Sequence, residues 1–285
     1  MINETVNKSG ETHKEARTQR RAPYVAASPH DLMRQEPGIT QKRREIKSIP
    51  FSGLLTNKLL ARLPGEDFAR LLPYLEPISL SYGDYLYEMG ETVDYCYLPE
   101  SAVVSQIHLL EDGSTTEVAL VGNEGMVGLS AIFGVAAPAY WSETLVAGSA
   151  LRIRARVLKE EFGRGQALQR LLLAYTSARL AHLSQRAICN GRHSLAGRLC
   201  SWLLMIDDRV ENGQLVLTHE EMARHLGTRR ASVSVVATEL RKRGAISYNR
   251  GKLCILDRQL LEAFACECYR ALARQPVDVR SGSNR

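Results

Sequence analysis

The chain has 285 residues, with 37 Lys and Arg against 31 Asp and Glu, a formal net charge of +6 and a sequence pI near 9.0. That length accommodates two domains of ordinary size, and the basic balance favours a polyanionic partner wherever the charge is clustered. The first twenty residues are polar and charged, and no stretch approaches the roughly 18 consecutive apolar residues of a membrane span, so the expectation is a cytoplasmic protein with no membrane partner.

Residues 1–48, with Pro23, Pro29 and Pro37 and no sustained apolar periodicity, read as a flexible tail whose cluster Lys42, Arg43, Arg44 is either a solvated linker or a DNA contact. A first domain is expected over 49–160. It opens with two short helices, one carrying Leu54, Leu55, Leu59, Leu60 and Leu63, the next carrying Phe68, Leu71, Leu72 and Leu75. Short β-branched and aromatic runs follow at Tyr85 to Tyr87, Val103 to Leu109, Glu117 to Val121 and Thr144 to Ile153. Gly-containing turns separate them, which predicts a compact β-roll or barrel.

A long helix is expected from about Gln166 to Asn190, within a connector over 161–192. Leu168, Tyr175, His182 and Cys189 recur every seven residues, with Leu171, Ala178 and Gln185 between them. This heptad-like stripe is the expected dimer seam, with ordinary core burial as the alternative. A second stripe through Leu173, Leu180 and Leu183 would then face the chain's own domains.

The segment over 193–273 carries the most specific pattern, and a short flexible tail is expected over 274–285. Thr218 and Glu221 form a Thr-x-x-Glu capping box, Met222, Ala223 and Leu226 supply an apolar face, and Gly227 stands where the helix must reverse. A second helix from about Arg229 to Arg243 buries Val233, Val236, Ala237 and Leu240 and presents Arg230, Ala231, Ser234, Val235, Thr238 and Arg241. Beyond Gly244, alternating Ile246, Tyr248, Leu253 and Ile255 flank Asn249-Arg250-Gly251-Lys252, a hairpin with a basic tip. Together these describe a winged helix-turn-helix binding double-stranded DNA. Arg230, Ser234, Val235 and Thr238 are the expected base-facing residues, while Thr218, Arg229, Arg241, Arg250 and Lys252 meet phosphates.

The six cysteines, Cys96, Cys189, Cys200, Cys254, Cys266 and Cys268, include no Cys-x-x-Cys. In a chain read as cytoplasmic they are expected to be free, buried structural thiols. Cys266 and Cys268 stand two apart in an apparent helix, where side chains diverge by about 200°, so the expectation is no metal site. No nucleophile motif or phosphate-cradling Gly-rich loop points to an enzyme.

From Phe51 to Leu256 this succession resembles the family of the cyclic-AMP receptor protein and the fumarate-nitrate regulator. The resemblance rests on the Gly-turned roll, the long helix, the run from Arg198 to Leu204, and Leu217-Thr-x-Glu-Glu-Met-Ala-x-x-Leu-Gly227. It implies an α+β protein with an amino-terminal cyclic-nucleotide-binding-like jelly roll, a dimerisation helix and a carboxy-terminal winged helix-turn-helix. It further implies a homodimer reading a pseudo-palindromic operator, with RNA polymerase as a further partner.

This chain departs from the family at several positions. Ala231 replaces the Glu after the family's first reading Arg, and Val235 stands about where its second Arg is expected. In the roll, Gly128-Leu129-Ser130 has Leu129 in place of the ribose-binding carboxylate, and Trp141-Ser142 lacks the phosphate-binding Arg. These five residues are the expected remnant of an effector pocket. No Cys precedes Cys96, unlike the iron-sulfur sensors, and a haem ligand such as His108 or Cys96 lacks support. The expectation is no cofactor and an unknown effector. The alternatives are a cyclic-nucleotide-responsive regulator and a ligand-binding signalling module that does not bind DNA.

Overall fold

The structure is a computed structural model that describes residues 46–50, 55–135, 137, 138, 140–210 and 214–273. The tails expected over 1–48 and 274–285, the cluster Lys42 to Arg44, Phe51 and Leu54 lie outside those residues, except that Lys47 and Ser48 form a short strand, β1, paired with Ile78 and Ser79.

Only one of the two opening helices forms as a helix. Leu60–Arg62 is a single 3₁₀ turn: the Asn57 side-chain oxygen caps its start, accepting from the amides of Leu59 and Leu60 at 3.1 and 3.0 Å, and Leu63, held extended ahead of Pro64, ends it. The Asn57 amide donates in turn to the carbonyls of Pro99 and Gly125, which moors the segment to the roll. Helix α1 (Gly65–Leu71) follows and closes in a further 3₁₀ turn.

The roll is two antiparallel sheets. One has the order β1-β2-β8-β4, with β2 at Glu76–Leu80, β4 at Tyr95–Pro99 and β8 at Gly148–Arg154. The other has the order β3-β7-β5-β6, with β3 at Tyr85–Tyr87, β5 at Val103–Leu109, β6 at Thr115–Val121 and β7 at Trp141–Val146. The run read as Thr144 to Ile153 is thus two strands in different sheets. Gly148 makes the switch possible: a Cβ there would stand 2.5 Å from the Ala102 amide nitrogen. The short helix α2 (Leu129–Ile132) lies between β6 and β7, and α3 (Ala155–Gly163) leads to the long helix α4 (Ala167–Arg192).

The remainder is α5 (Leu195–Asp207), β9 (Gln214–Val216), α6 (His219–Leu226), α7 (Arg230–Lys242), β10 (Ile246–Asn249), β11 (Lys252–Ile255), α8 (Arg258–Phe264) and α9 (Glu267–Ala273). Strands β5 and β7 do not alternate buried and exposed residues as a half-solvated sheet would; nearly all of their residues are buried. Their outer face carries the carboxy-terminal unit, and Val103, Leu120 and Leu145 of the roll join Trp202, Leu203, Met222, Leu226 and Val233 in one apolar core.

Three carboxylates of the roll fasten that contact. Glu117 is fully buried and accepts from Ser105 Oγ (2.8 Å), Trp202 Nε1 (3.0 Å) and Arg186 Nη2 (3.2 Å), with His225 Nδ1 at 3.3 Å. Burial alone would raise its pKa, but His225, Arg186 and Ser105 outweigh that and hold it below the ordinary carboxylate range. Glu143 takes a two-pronged bond from Arg224 at 2.9 and 3.1 Å, and Glu124 pairs with Arg209 at 2.8 Å.

Glu117→Ala leaves Arg186 without its carboxylate and Trp202 Nε1 without its acceptor, so a loss of about 3 kcal/mol or more is expected from urea unfolding midpoints at constant m-value. A change below about 1 kcal/mol would refute this account of the contact.

Candidate nucleic-acid interface and effector pocket

The expected capping box is present: Thr218 Oγ1 accepts from the Glu221 amide at 3.1 Å, and Glu221 Oε2 accepts from the Thr218 amide at 2.5 Å. Helix α6 ends at Gly227, whose φ of 57° lies in the left-handed region, and a Cβ there would stand 2.9 Å from Thr116 Oγ1 on the roll. Both conformation and space therefore require glycine. Helix α7 starts one residue later than expected, with Arg229 as its N-cap.

The exposed side of α7 presents Arg230, Ala231, Val235 and Arg241, and Val235 is 71% exposed. Ser234 and Thr238 are half-buried and already engaged. Ser234 Oγ meets His219 Nδ1 at 2.8 Å and donates to the Arg230 carbonyl at 3.0 Å, while the Thr238 hydroxyl donates to the Ser234 carbonyl at 2.7 Å. They differ in this from Arg230 and Val235, whose side chains reach solvent.

His219 is an organising residue with no signal in the sequence. Its ring stacks on Tyr248 of β10 with centroids 4.4 Å apart while bonding Ser234 of α7, so it ties the hairpin to the second helix. At the hairpin tip both Arg250 (φ 49°) and Gly251 (φ 80°) have positive φ, as a two-residue type I′ turn demands. Arg250 and Lys252 are exposed, and β9 adds a third strand against β11.

In the roll, Gly128 (φ 95°) caps α2, and the Tyr87 hydroxyl lies close to both Ser142 and the Gly128 backbone. The hydroxyls of Tyr87, Ser130, Ser142 and Thr144 are buried without hydrogen-bond partners among the described residues. Trp141 does not join them. Being one residue out of phase on β7, it faces the other way and packs edge-on against Tyr85 with centroids 5.5 Å apart. Leu129 packs against the apolar cluster beneath α1 and α4.

On α4 the first part of the heptad-like stripe follows the alternative of ordinary core burial. Leu168, Leu171 and Tyr175 are buried in the chain's own core, with the Tyr175 hydroxyl accepting from the Met126 amide at 3.1 Å; Ala178 and His182 are half-buried. The uncovered side carries Leu173, Leu180 (61% exposed), Leu183 and Ile188 (53%). A heptad repeat marks both faces equally, and the roll's insertion at Met126 decides which one is used internally.

The six cysteines are free, and four of them are buried, but three are not dispersed. Cys189, His193, Cys266 and Cys268 converge at the carboxy-terminal end of α4, their ligand atoms all within 4.8 Å of one another. The chain separation between residues 193 and 266 hides this from any spacing rule.

With this geometry in view, residues 197–264 match the Crp-like helix-turn-helix domain family and residues 77–164 the cyclic nucleotide-binding domain family, together more than half of the chain. The chain belongs to the Crp/Fnr family of transcription regulators. It is 26% identical over 194 residues to the anaerobic regulatory protein of Bacillus subtilis (strain 168), covering 64% of this chain and 81% of that protein. Among solved structures, a CRP/FNR-family transcriptional regulator from Thermus thermophilus is 26% identical, with a TM-score of 0.54 over 67% of this chain and 98% of that one. FixK2 from Bradyrhizobium japonicum shares the fold at 21% identity, with a TM-score of 0.58 over 67% and 98%. This Crp/Fnr chain is accordingly a transcription regulator with a helix-turn-helix DNA-binding domain, its relatives are regulators, and no helix among the described residues is long and apolar enough to cross a membrane.

His182 lies in a cleft between α4, β6 and α5 lined also by Arg179, Arg186, Arg209, Glu117 and Glu124. Burial, then the charges of Arg179 and Arg209, lower its pKa to about 4, against a weaker opposing effect of Glu124. Folded His182 therefore stays neutral while the unfolded chain takes up a proton near pH 6.5, so its contribution leaves stability unchanged above that pH and lowers it as pH falls from about 6.5 toward 4. His182→Gln should flatten that part of the stability profile relative to wild type; parallel profiles would contradict the assignment.

Proposed function

We propose that this regulator acts as a homodimer that reads a pseudo-palindromic operator through α7 and the β10–β11 hairpin, and answers to an effector other than a cyclic nucleotide. The observation that carries the reading is the exposed constellation of Arg230, Val235, Arg241, Arg250 and Lys252, on elements whose caps, turn and His219 clamp leave little freedom. Arg230 forks onto a guanine edge, and Val235 meets a thymine methyl. Arg229 and Arg241, with Arg250 and Lys252 on the wing, neutralise phosphates; Thr218 adds its hydroxyl proton, its oxygen already serving as the cap. Ser234 and Thr238 support the helix more than they read bases. Bound in this way, the dimer recruits or blocks RNA polymerase.

The roll interior does not fit a cyclic nucleotide. Its polar groups around Gly128 are the neutral hydroxyls of Tyr87, Ser130 and Ser142, where a buried phosphodiester needs a paired cation, and Leu129 cannot accept from a ribose. A neutral, hydroxyl-bonding ligand suits these groups better. The dimer seam is the uncovered stripe of Leu173, Leu180 and Leu183, continuing to Ile188. Leu173, Leu180 and Leu183 stand seven and then three residues apart, as positions along a two-helix seam do.

Selection from a random duplex library should enrich a motif with dyad symmetry; no enrichment would sink the reading. Arg230→Ala should relax preference at one base pair per half-site by about tenfold, whereas Arg250→Ala or Lys252→Ala should weaken every duplex and lower the salt slope by about one phosphate contact. Leu180→Glu should convert dimer to monomer in sedimentation velocity without unfolding the protein, while His182→Gln should leave the dimer intact; the reverse pattern would restore the other stripe as the seam.

A further inference from the structure

Cys189 lies in the last turn of α4 and His193 is the residue that ends it, four positions on and hence one helical turn away. Cys266 immediately precedes α9 and Cys268 is its second residue; α9 packs on both α4 and α5. Cys189 Sγ and Cys266 Sγ are 3.5 Å apart, and Cys268 Sγ and His193 Nδ1 are 3.3 Å apart. Around one ion with bonds of about 2.3 Å to sulfur and 2.0 Å to nitrogen, tetrahedral geometry puts such pairs about 3.5 to 3.8 Å apart. The four donors are already near those positions.

The surroundings of the donors are those of ligands. His193 Nε2 meets Glu267 Oε1 at 3.0 Å, which leaves Nδ1 to face the sulfurs. Gln185 Nε2 donates to Cys268 Sγ at 3.0 Å, and Ser201 Oγ stands 3.1 Å from Cys266 Sγ. The Arg198 Nε is buried without a partner among the described residues. By contrast, Cys96 and Cys200 sit inside apolar clusters, as thiols used for packing do.

We propose that Cys189 Sγ, His193 Nδ1, Cys266 Sγ and Cys268 Sγ form a closed four-coordinate site for a zinc-class divalent ion. Three soft thiolates and one imidazole suit such an ion, and a set with no open position is structural in character. Binding displaces three thiol protons to solvent and leaves a complex of net charge −1 beside Arg198. A multi-iron cluster would need its ligands spread wider than these, whose separations all lie within 4.8 Å. The ion would bridge the turn at His193 and Ser194 between α4 and α5, fixing the long helix to α9. Arg198 extends the connection, since it also donates to the Leu226 carbonyl at the end of α6. Any effect of the ion on operator affinity rests on the DNA-binding reading; the site itself does not.

The test uses the full-length chain, reduced, stripped with chelator and titrated anaerobically with Co²⁺, then Zn²⁺. One equivalent of Co²⁺ should give the visible d–d bands and near-ultraviolet charge-transfer band of a tetrahedral thiolate site, and one equivalent of Zn²⁺ should bleach them. Cys266→Ser and His193→Ala should each weaken binding at least tenfold, and Glu267→Gln, altering a positioning residue, about tenfold with the bands retained. Cys254→Ser on the wing should bind as wild type, and circular dichroism of each stripped variant separates lost binding from lost folding. The proposal is overturned by absence of the bands in folded wild-type protein, by bands that survive Cys266→Ser combined with His193→Ala, or by more than one iron per chain with broad visible absorbance. An ion-free chain that forms only a Cys189–Cys266 disulfide would overturn it as well. Failure to select an operator would leave the cobalt spectrum untouched, so the two readings fail separately.

Discussion

Glu117 is the point on which the arrangement of the whole molecule turns. It lies on a strand of the roll, yet its oxygens are spent on Trp202 of α5, Arg186 of the long helix and the neighbourhood of His225 in the helix-turn-helix. A buried carboxylate left without such partners would carry a desolvation penalty of several kcal/mol, so each element depends on the others being in place. Glu143 with Arg224 and Glu124 with Arg209 repeat the device at the edges of the same face. The DNA-binding unit is thus held by directional charged contacts around an apolar centre, which fixes its orientation more narrowly than apolar packing alone.

Much of the helix-turn-helix was legible in the sequence because its determinants are local. Thr218 and Glu221 are three residues apart, Gly227 must take positive φ where it stands, and Arg250-Gly251 is a turn written in two letters. The α+β order of roll, long helix and winged unit follows from the same short-range patterns. What escaped was set by contacts between distant residues. Leu55 to Leu63 has helical spacing, but Asn57 is moored to the carbonyls of Pro99 and Gly125 on the roll, and only a 3₁₀ turn follows it.

The long helix shows the same limit. Leu168, Leu171 and Tyr175 have the repeat of a dimer seam and are buried at home, while the stripe assigned inward is the uncovered one. Periodicity says that a helix has an apolar face; only the partner says what covers it. Trp141 and Ser142 were read as one step, yet alternate residues of a strand face opposite sides. The four metal-type donors carry no usable spacing at all, because two come from the end of one helix and two from the start of another more than seventy residues later.

That alternation along β7 has a mechanical consequence. Ser142 faces the hydroxyl-lined interior of the roll, and the next residue, Glu143, grips Arg224 of the helix-turn-helix. The wall between the two compartments is one peptide bond thick. A ligand seated inside the roll and the helix that precedes the recognition helix would therefore pull on the same backbone from opposite sides, with no relay of side chains between them.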